Sequence, residues 1–299
     1  MSLGETRDFF GANLEDCRLC PRECGVNRRK GERGFCGAGA EIKVSSLTVH
    51  RGEEPPISGH AGSGTVFFTN CNMRCAYCQN YPISQLGHGN RITPGDLASG
   101  MLRLQARGAH NINLVTPTQH LPGVVLALTE ARAKGLRLPV VYNTSGYESA
   151  RTVRMLGDLV QIYLADMRYS EPEMGLRYSD APDYPLHNRL AVRQMLEITG
   201  HLVCDRGIGV RGLIIRHLIL PGGIAGTGAT LEFIARELSP RVHVSLMCQY
   251  FPANRAHTLP ELSRRITEAE YQEALDLLSR YGLENGWIQD LEADIPPVA

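Results

Sequence analysis

A chain of 299 residues is long enough to bury one large core or two ordinary ones, and its 31 Lys plus Arg against 31 Asp plus Glu exclude the basic footprint of a nucleic-acid binder or a polybasic membrane anchor. The first residues lack the charged, apolar and small-residue order of a secretory leader, and the longest apolar runs, such as residues 124–128, fall far short of the roughly 20 needed to cross a bilayer. The reading is a soluble, cytoplasmic protein with no membrane or nucleic-acid partner. Nine cysteines, seven of them before residue 80, then point to metal-binding or catalytic thiols rather than a disulfide framework.

Residues 1–62 are rich in Cys, Gly, Arg and Glu and read as a small appended module ahead of a core spanning 63–299. In that module Cys17, Cys20 and Cys24 follow a C-x2-C-x3-C spacing, and Cys36 sits in the glycine-rich stretch 31–39. Four thiolates with a tight first pair suit a zinc ion or an iron–sulfur cluster, and a module this small has too little apolar surface to fold without such a staple. Disulfides are the alternative, disfavoured by the compartment.

From residue 65 onward, short β-branched or apolar runs alternate with longer stretches of helical period. The predicted strands are 65–68, 112–115, 140–143, 162–165, 215–220 and 243–247. The predicted helices are 94–107, 123–134, 149–156, 186–203, 230–238 and 267–281. This is the pattern of parallel strands joined by crossover helices, an α/β fold whose strands are covered on both faces. Periodicity leaves a doubly wound sheet and a barrel both open. In either, chemistry gathers in the loops after the carboxyl ends of the strands, and polar residues fall there: 70–78, 116–118, 143–145 and 166–168.

The loop after the first core strand, TNCNMRCAYCQNYPIS, places Cys71, Cys75 and Cys78 in eight positions. Three thiolates from one short segment can hold three corners of an iron–sulfur cube and leave one iron without a protein ligand. Electron-carrying ferredoxins use four cysteines per cluster, and an open coordination position is where a metal centre binds substrate or cofactor. The alternatives are a zinc ion shared with a distant histidine, or buried thiols.

The segment Cys71-Asn72-Met73-Arg74-Cys75-Ala76-Tyr77-Cys78 resembles the C-x3-C-x-aromatic-C motif of radical S-adenosylmethionine enzymes. Across roughly residues 15–290 the chain is similar to the PflX-like group related to pyruvate formate-lyase activating enzyme, through CRLCPRECGVNRRKGERGFCGAG, GSGTVFFTNCNMRCAYCQNYPIS, GAHNINLVTPTQH, VVYNTSGYES, IYLADMRYS, IIRHLILPGG and VSLMCQYFP. The resemblance implies a partial (β/α)6 barrel, a 4Fe-4S cluster on Cys71, Cys75 and Cys78, and S-adenosylmethionine chelated to the open iron. It also implies a reduced flavodoxin- or ferredoxin-like electron donor, and a protein or peptide substrate on which a glycyl radical is installed. Tyr77 matches the family position beside the adenine.

The chain departs from the activating enzymes at the second strand, where Val115-Thr116-Pro117-Thr118 stands in place of Gly-Gly-Glu-Pro and the matching carboxylate is absent. Thr116 and Thr118 offer hydroxyl acceptors for the cofactor's amino group, or form a structural turn. Asn143, Thr144 and Ser145 reach toward its ribose or carboxylate, or cap the following helix. Asp166 and Arg168 match an Asp-x-Lys element with arginine for lysine, and two residues apart on an extended segment they point to the same side. His217 and Gln249 complete the lining or are satisfied core groups, and Cys204 and Cys248 read as inert buried thiols. Two other functions stand beside the activase reading. One is hydrogen abstraction from a small molecule or peptide, favoured by the missing carboxylate. The other is a non-catalytic iron–sulfur or zinc protein that carries electrons.

Overall fold

A computed structural model describes residues 2–291; the stretch 292–299, counted above with the core, lies outside the described residues. The chain begins with α1 (Leu3–Ala12), capped by Ser2, whose hydroxyl accepts from the Glu5 N–H while the Glu5 carboxylate accepts from the Ser2 N–H at 2.7 Å. A loop-rich stretch bearing four cysteines leads to β1 (Ile42–His50), a single turn α2 (Pro55–Ser58) and β2 (Ser63–Phe68). After the three-cysteine loop come α3 (Tyr81–Ser84), β3 (Asn90–Ile92), α4 (Pro94–Ala106), β4 (Ile112–Val115), α5 (Leu121–Ala133), β5 (Val140–Thr144), α6 (Ala150–Leu156) and β6 (Ile162–Asp166). The chain continues through α7 (Pro172–Ser179), α8 (Tyr184–Thr199), β7 (Val203–Asp205), β8 (Ile208–Leu218), α9 (Thr227–Phe233), β9 (His243–Met247), α10 (Glu268–Arg280) and β10 (Gly286–Ile288).

The six core strands read from the sequence are β2, β4, β5, β6, β8 and β9. They pair in parallel and in chain order, β10 follows β9, and β7 adds to β8 as a hairpin. An order without reversal has no topological switch point, so the choice left open by periodicity falls to the barrel. The sheet ends at β10 on one side and β3 on the other, so the barrel is partial and open. At its leading edge β1 pairs antiparallel with β2, Val49 opposite Gly64, and β3 pairs with β1. The region before residue 63 therefore adds a strand to the core's own sheet.

Most boundaries shift by a few residues, and two differ in a way that a local turn explains. The helix expected to run to residue 203 stops at Thr199, because Gly200 takes φ +73°. The strand expected from residue 215 starts at Ile208, seven residues earlier, because Arg206 and Gly207, both at positive φ, turn a tight hairpin from β7. The polar, glycine-bearing stretch Gly207-Ile208-Gly209-Val210-Arg211-Gly212 conceals that strand from hydrophobic pattern.

Strand alternation sorts the core into two faces. Val66, Leu114, Tyr142, Tyr163 and Ile215 pack outward under Leu97, Met101, Val124 and Leu128 of the helices. Val141, Ile162, Leu164 and Ile214 point inward and meet Ile57 of α2, which closes the bottom of the barrel. Two residues further along their strands, Asp166 follows Leu164 and Arg216 follows Ile214 on the same inward face. The interior is thus apolar below and charged toward the mouth.

Candidate active site

The loop leaving β2 turns at Asn70, which takes φ +67° and donates from its amide to the Cys36 carbonyl at 3.0 Å. All three cysteine sulfurs of this loop lie within hydrogen-bonding reach of a donor. The Met73 N–H reaches Cys71 Sγ at 3.4 Å, Ser179 Oγ reaches Cys75 Sγ at 3.0 Å, and Ser84 Oγ lies 3.2 Å from Cys78 Sγ. Burial pushes the Cys71 thiol up to about 12, and the neighbouring Cys75 adds to the rise; burial and then Cys75 raise Cys78 as well. Cys71 and Cys78, raised in this way, resist ionising on their own, and a cationic metal centre deprotonates such thiols on binding. Among the described residues no three Cys, His, Asp or Glu side chains are grouped as ligands of one ion. A cube takes its thiolates at separate corners, so the loop's donor set fits a four-iron cluster with one iron left open.

Beside Cys78 opens a pocket with about 160 Å³ of water-accessible space, walled by Tyr77, Asp166, Arg168, Arg216, Gln249 and Tyr250 among others. Its floor is a chain of charge. Arg168 meets Asp166 at 2.5 Å, Arg216 Nε donates to the other Asp166 oxygen at 2.7 Å, and Arg216 Nη2 donates to Asn143 Oδ1 at 2.7 Å. Below, Arg216 Nη1 faces Glu53 at 3.5 Å, and Glu53 also accepts from Asn113 at 2.9 Å. Burial acts to raise Asp166, but the two guanidiniums prevail and hold it below its ordinary value. Burial pushes Glu53 up to about 7 against the pull of Arg216. The two guanidiniums thus hold Asp166 ionised, while burial of Glu53 favours its neutral form. Arg168 Nε, buried, has no partner among the described residues. The spare guanidinium donor at the pocket suits a carboxylate-bearing ligand.

The structure brings Tyr77, Cys78, Asp166 and Arg168 together at this pocket, with the Tyr77 ring edge-on to Tyr250 at 5.7 Å. Asn143 lies beneath it, bound to Arg216. Ser145 lends its carbonyl to the Tyr184 hydroxyl at 2.7 Å. Thr116 takes φ +56°, and its carbonyl accepts from Gln119 at 2.8 Å. The Thr118 hydroxyl is engaged by Glu148 at 2.6 Å and by Tyr142, in a buried cluster that also holds Thr144. Gln249 lines the pocket, but His217 faces outward, its ring nitrogens meeting the Met167 carbonyl at 2.7 Å and the Thr227 hydroxyl at 3.0 Å. Cys248 is buried as expected; Cys204 is exposed on the β7 hairpin, where no helix covers the strand.

Sequence reasoning missed Arg216, Glu53 and Ser179. Alternation along β8 holds the signal for the first, since Arg216 shares the inward face of Ile214 while the adjacent His217 cannot. Glu53 and Ser179 left none, because each arrives from an element distant in sequence.

Two of the amino-terminal cysteines flank Arg28, whose buried guanidinium donates to Cys17 Sγ at 2.9 Å and to the Gln119 carbonyl at 2.5 Å, with Cys36 Sγ at 3.9 Å. Burial pushes Cys20 up to about 12, with charge on Cys36, Glu148 and Cys17 adding. Cys24 is exposed, its sulfur packed where a side chain on Gly34 would otherwise stand. This group adjoins the three-cysteine loop: the Arg22 guanidinium lies 3.2 Å over the Phe35 ring and donates to the Asn72 carbonyl at 2.7 Å, and Arg74 donates to the Phe35 carbonyl at 3.0 Å.

No family model matches the chain. It is 30% identical over 281 residues to the uncharacterized protein MJ0674 of Methanocaldococcus jannaschii, covering 91% of this chain and 76% of that one. It is 27% identical over 169 residues to the uncharacterized protein MJ0808 of the same organism, covering 50% of this chain and 49% of that one. Among solved structures it superposes on Streptococcus suis SuiB bound to precursor peptide SuiA, with a TM-score of 0.50 at 10% identity over 74% of this chain and 46% of that one. It likewise superposes on HydG, a maturase of the [FeFe]-hydrogenase, with a TM-score of 0.51 at 11% identity over 73% and 49%. The chain spans about half the length of these solved proteins, and the likeness lies in the barrel fold. No helix among the described residues is long and apolar enough to cross a membrane.

Proposed function

We propose that this chain, which belongs to the family of MJ0674, is a radical S-adenosylmethionine enzyme holding a 4Fe-4S cluster on Cys71, Cys75 and Cys78. The observation that carries the reading is the juxtaposition of three donor-supported sulfurs on one loop with a pocket whose floor is Asp166, Arg168 and Arg216. The barrel shared with SuiB and HydG, both of the radical S-adenosylmethionine superfamily, supports it. When bound, the cluster and S-adenosylmethionine supply one-electron cleavage of the sulfonium to methionine and a 5'-deoxyadenosyl radical that abstracts hydrogen.

The chain's own residues orient and exclude. Arg168, with its unpartnered Nε, and Arg216 offer the guanidinium donors for the cofactor's carboxylate, and Asp166 keeps both in place. Tyr77 and Tyr250 wall the side where an adenine stacks. The Thr118 hydroxyl is already committed to Glu148, so the amino group meets another acceptor, for which Gln249 in the pocket wall is available. The open barrel edge admits a loop of a protein or peptide substrate, in keeping with the activase reading, and a flavodoxin- or ferredoxin-like donor supplies the electron. Cys17, Cys20, Cys24 and Cys36 hold a zinc ion or second iron–sulfur cluster; in support, the buried Arg28 has no carboxylate bonded to it among the described residues, and metal-bound thiolate is a fitting counter-ion.

Anaerobic reconstitution with iron and sulfide, followed by dithionite and S-adenosylmethionine, is expected to yield 5'-deoxyadenosine. Cys75→Ala should abolish the product while Cys17→Ala retains it. An intact cluster that forms no 5'-deoxyadenosine would overturn the enzyme reading in favour of an electron-carrying protein.

A further inference from the structure

We propose that Ser179, oriented by Tyr169, and Arg168 are positioning residues that hold Cys75 as a hydrogen-bonded thiolate and raise the reduction potential of the cluster; this deepens the reading above and rests on it. Of the three loop cysteines Cys75 is the least exposed, at 7%, and its donors come from far along the chain. The carboxyl end of α7 is stitched to the loop on both sides of it: the Arg74 N–H donates to the Ser179 carbonyl at 2.8 Å and the Ala76 N–H to the Tyr178 carbonyl at 2.7 Å. These two bonds fix Ser179 against the sulfur, with Oγ to Sγ at 3.0 Å.

Proton counting gives the arrangement a direction. A serine hydroxyl has one hydrogen, and the sulfur receives it. The Tyr169 hydroxyl, 2.7 Å from the same oxygen and itself buried, is then the donor to Ser179. The relay runs Tyr169 to Ser179 to Cys75, and each bond polarises the next. Arg168 adds a charged donor, with Nη1 3.8 Å from the same sulfur while Nη2 holds Asp166. Cys71, by contrast, receives the Met73 N–H from its own loop, and Cys78 has the nearby Ser84.

A one-electron reduction makes the cluster and its thiolates more negative by one charge, so donors aimed at a ligand sulfur favour the reduced form. The Asp166 contact of Arg168 also ties the pocket floor to this sulfur through one guanidinium.

The test is an electron-paramagnetic-resonance redox titration of the reconstituted protein with dithionite and mediators. Ser179→Ala is expected to move the midpoint to a more negative potential with iron and sulfide content unchanged. Tyr169→Phe should shift it the same way by less, and Ser179→Thr, which keeps a hydroxyl, should return it toward the parent value. A full cluster in Ser179→Ala with the parent midpoint overturns the proposal. If Ser179→Ala fails to assemble a cluster, Tyr169→Phe decides on the same criterion. A parent chain that holds no four-iron cluster sinks the reading beneath it, a result distinguishable from an unmoved midpoint.

Discussion

Arg216 Nη1 stands 3.5 Å from Glu53 Oε2, so a residue that precedes every core strand braces, from inside the barrel, an arginine on the fifth of them. The same guanidinium reaches Asp166 and Asn143, both buried, and the Glu53 side chain is only 8% exposed. Glu53→Ala should therefore destabilise the fold by about 1–3 kcal/mol, the range for stranding a buried polar group that keeps other partners. Urea denaturation measures it, and an unchanged midpoint would mean that Glu53 does not brace Arg216.

Arg168→Lys keeps the charge and loses the planar fork. Because this arginine serves Asp166 and the Cys75 sulfur at once, a point charge cannot replace both contacts. The apparent KM for S-adenosylmethionine should rise about tenfold, equivalent to ~1.4 kcal/mol. Asp166→Asn is harsher, leaving two buried guanidiniums short of a counter-ion at about 3–5 kcal/mol. Thermal unfolding reports that loss directly.

Glu148 sets a pH dependence. It is fully buried among Thr118, Thr144 and Tyr142, and burial raises its carboxyl from the ordinary 4.5 to about 7. The folded chain therefore binds this proton more tightly than the unfolded one. Its contribution is full below pH 4.5 and is lost as the pH rises through 7, by about 3 kcal/mol in all. Glu148→Gln should flatten that decline. Denaturation midpoints at pH 5 and pH 8 that differ equally in the variant and its parent would contradict it.

Gly146 occupies φ +75° in the turn after β5, and a Cβ there would fall 2.1 Å from Asn188 Nδ2 and 2.2 Å from the Asp166 carbonyl. Neither neighbour is free to retreat, since Asn188 also donates to that carbonyl at 2.9 Å. Gly146→Ala should destabilise by about 3 kcal/mol through backbone strain and overpacking together. Substitution at Gly108, also at positive φ but with open space around it, should lose about 1 kcal/mol.

Pattern resolves where chemistry tracks the chain's own period. The strands themselves could be anticipated because β4 and β9 are short apolar runs between helical stretches, and their bounds emerge unchanged in the structure. It fails at β8, where a glycine-bearing hairpin arm has no apolar run to betray it, and at α7, whose eight residues are too few to show a period. Within the site, Asp166 and Arg168 were legible because residues two apart on an extended segment share a side. The same rule applied to β8 points to Arg216 rather than His217.

What the sequence by itself determined is local: three thiols within eight positions after a strand, four more in an amino-terminal module, and the run of βα units that carries them. These follow from spacing and from alternation along single segments. Only the tertiary structure decided which distant groups serve them: Glu53 beneath Arg216, Ser179 against Cys75, and Thr118 turned away to Glu148. Such partners are separated by tens to more than a hundred residues, and burial selects them, because a charge or sulfur withdrawn from water must find its donor in whatever element the folded chain brings beside it.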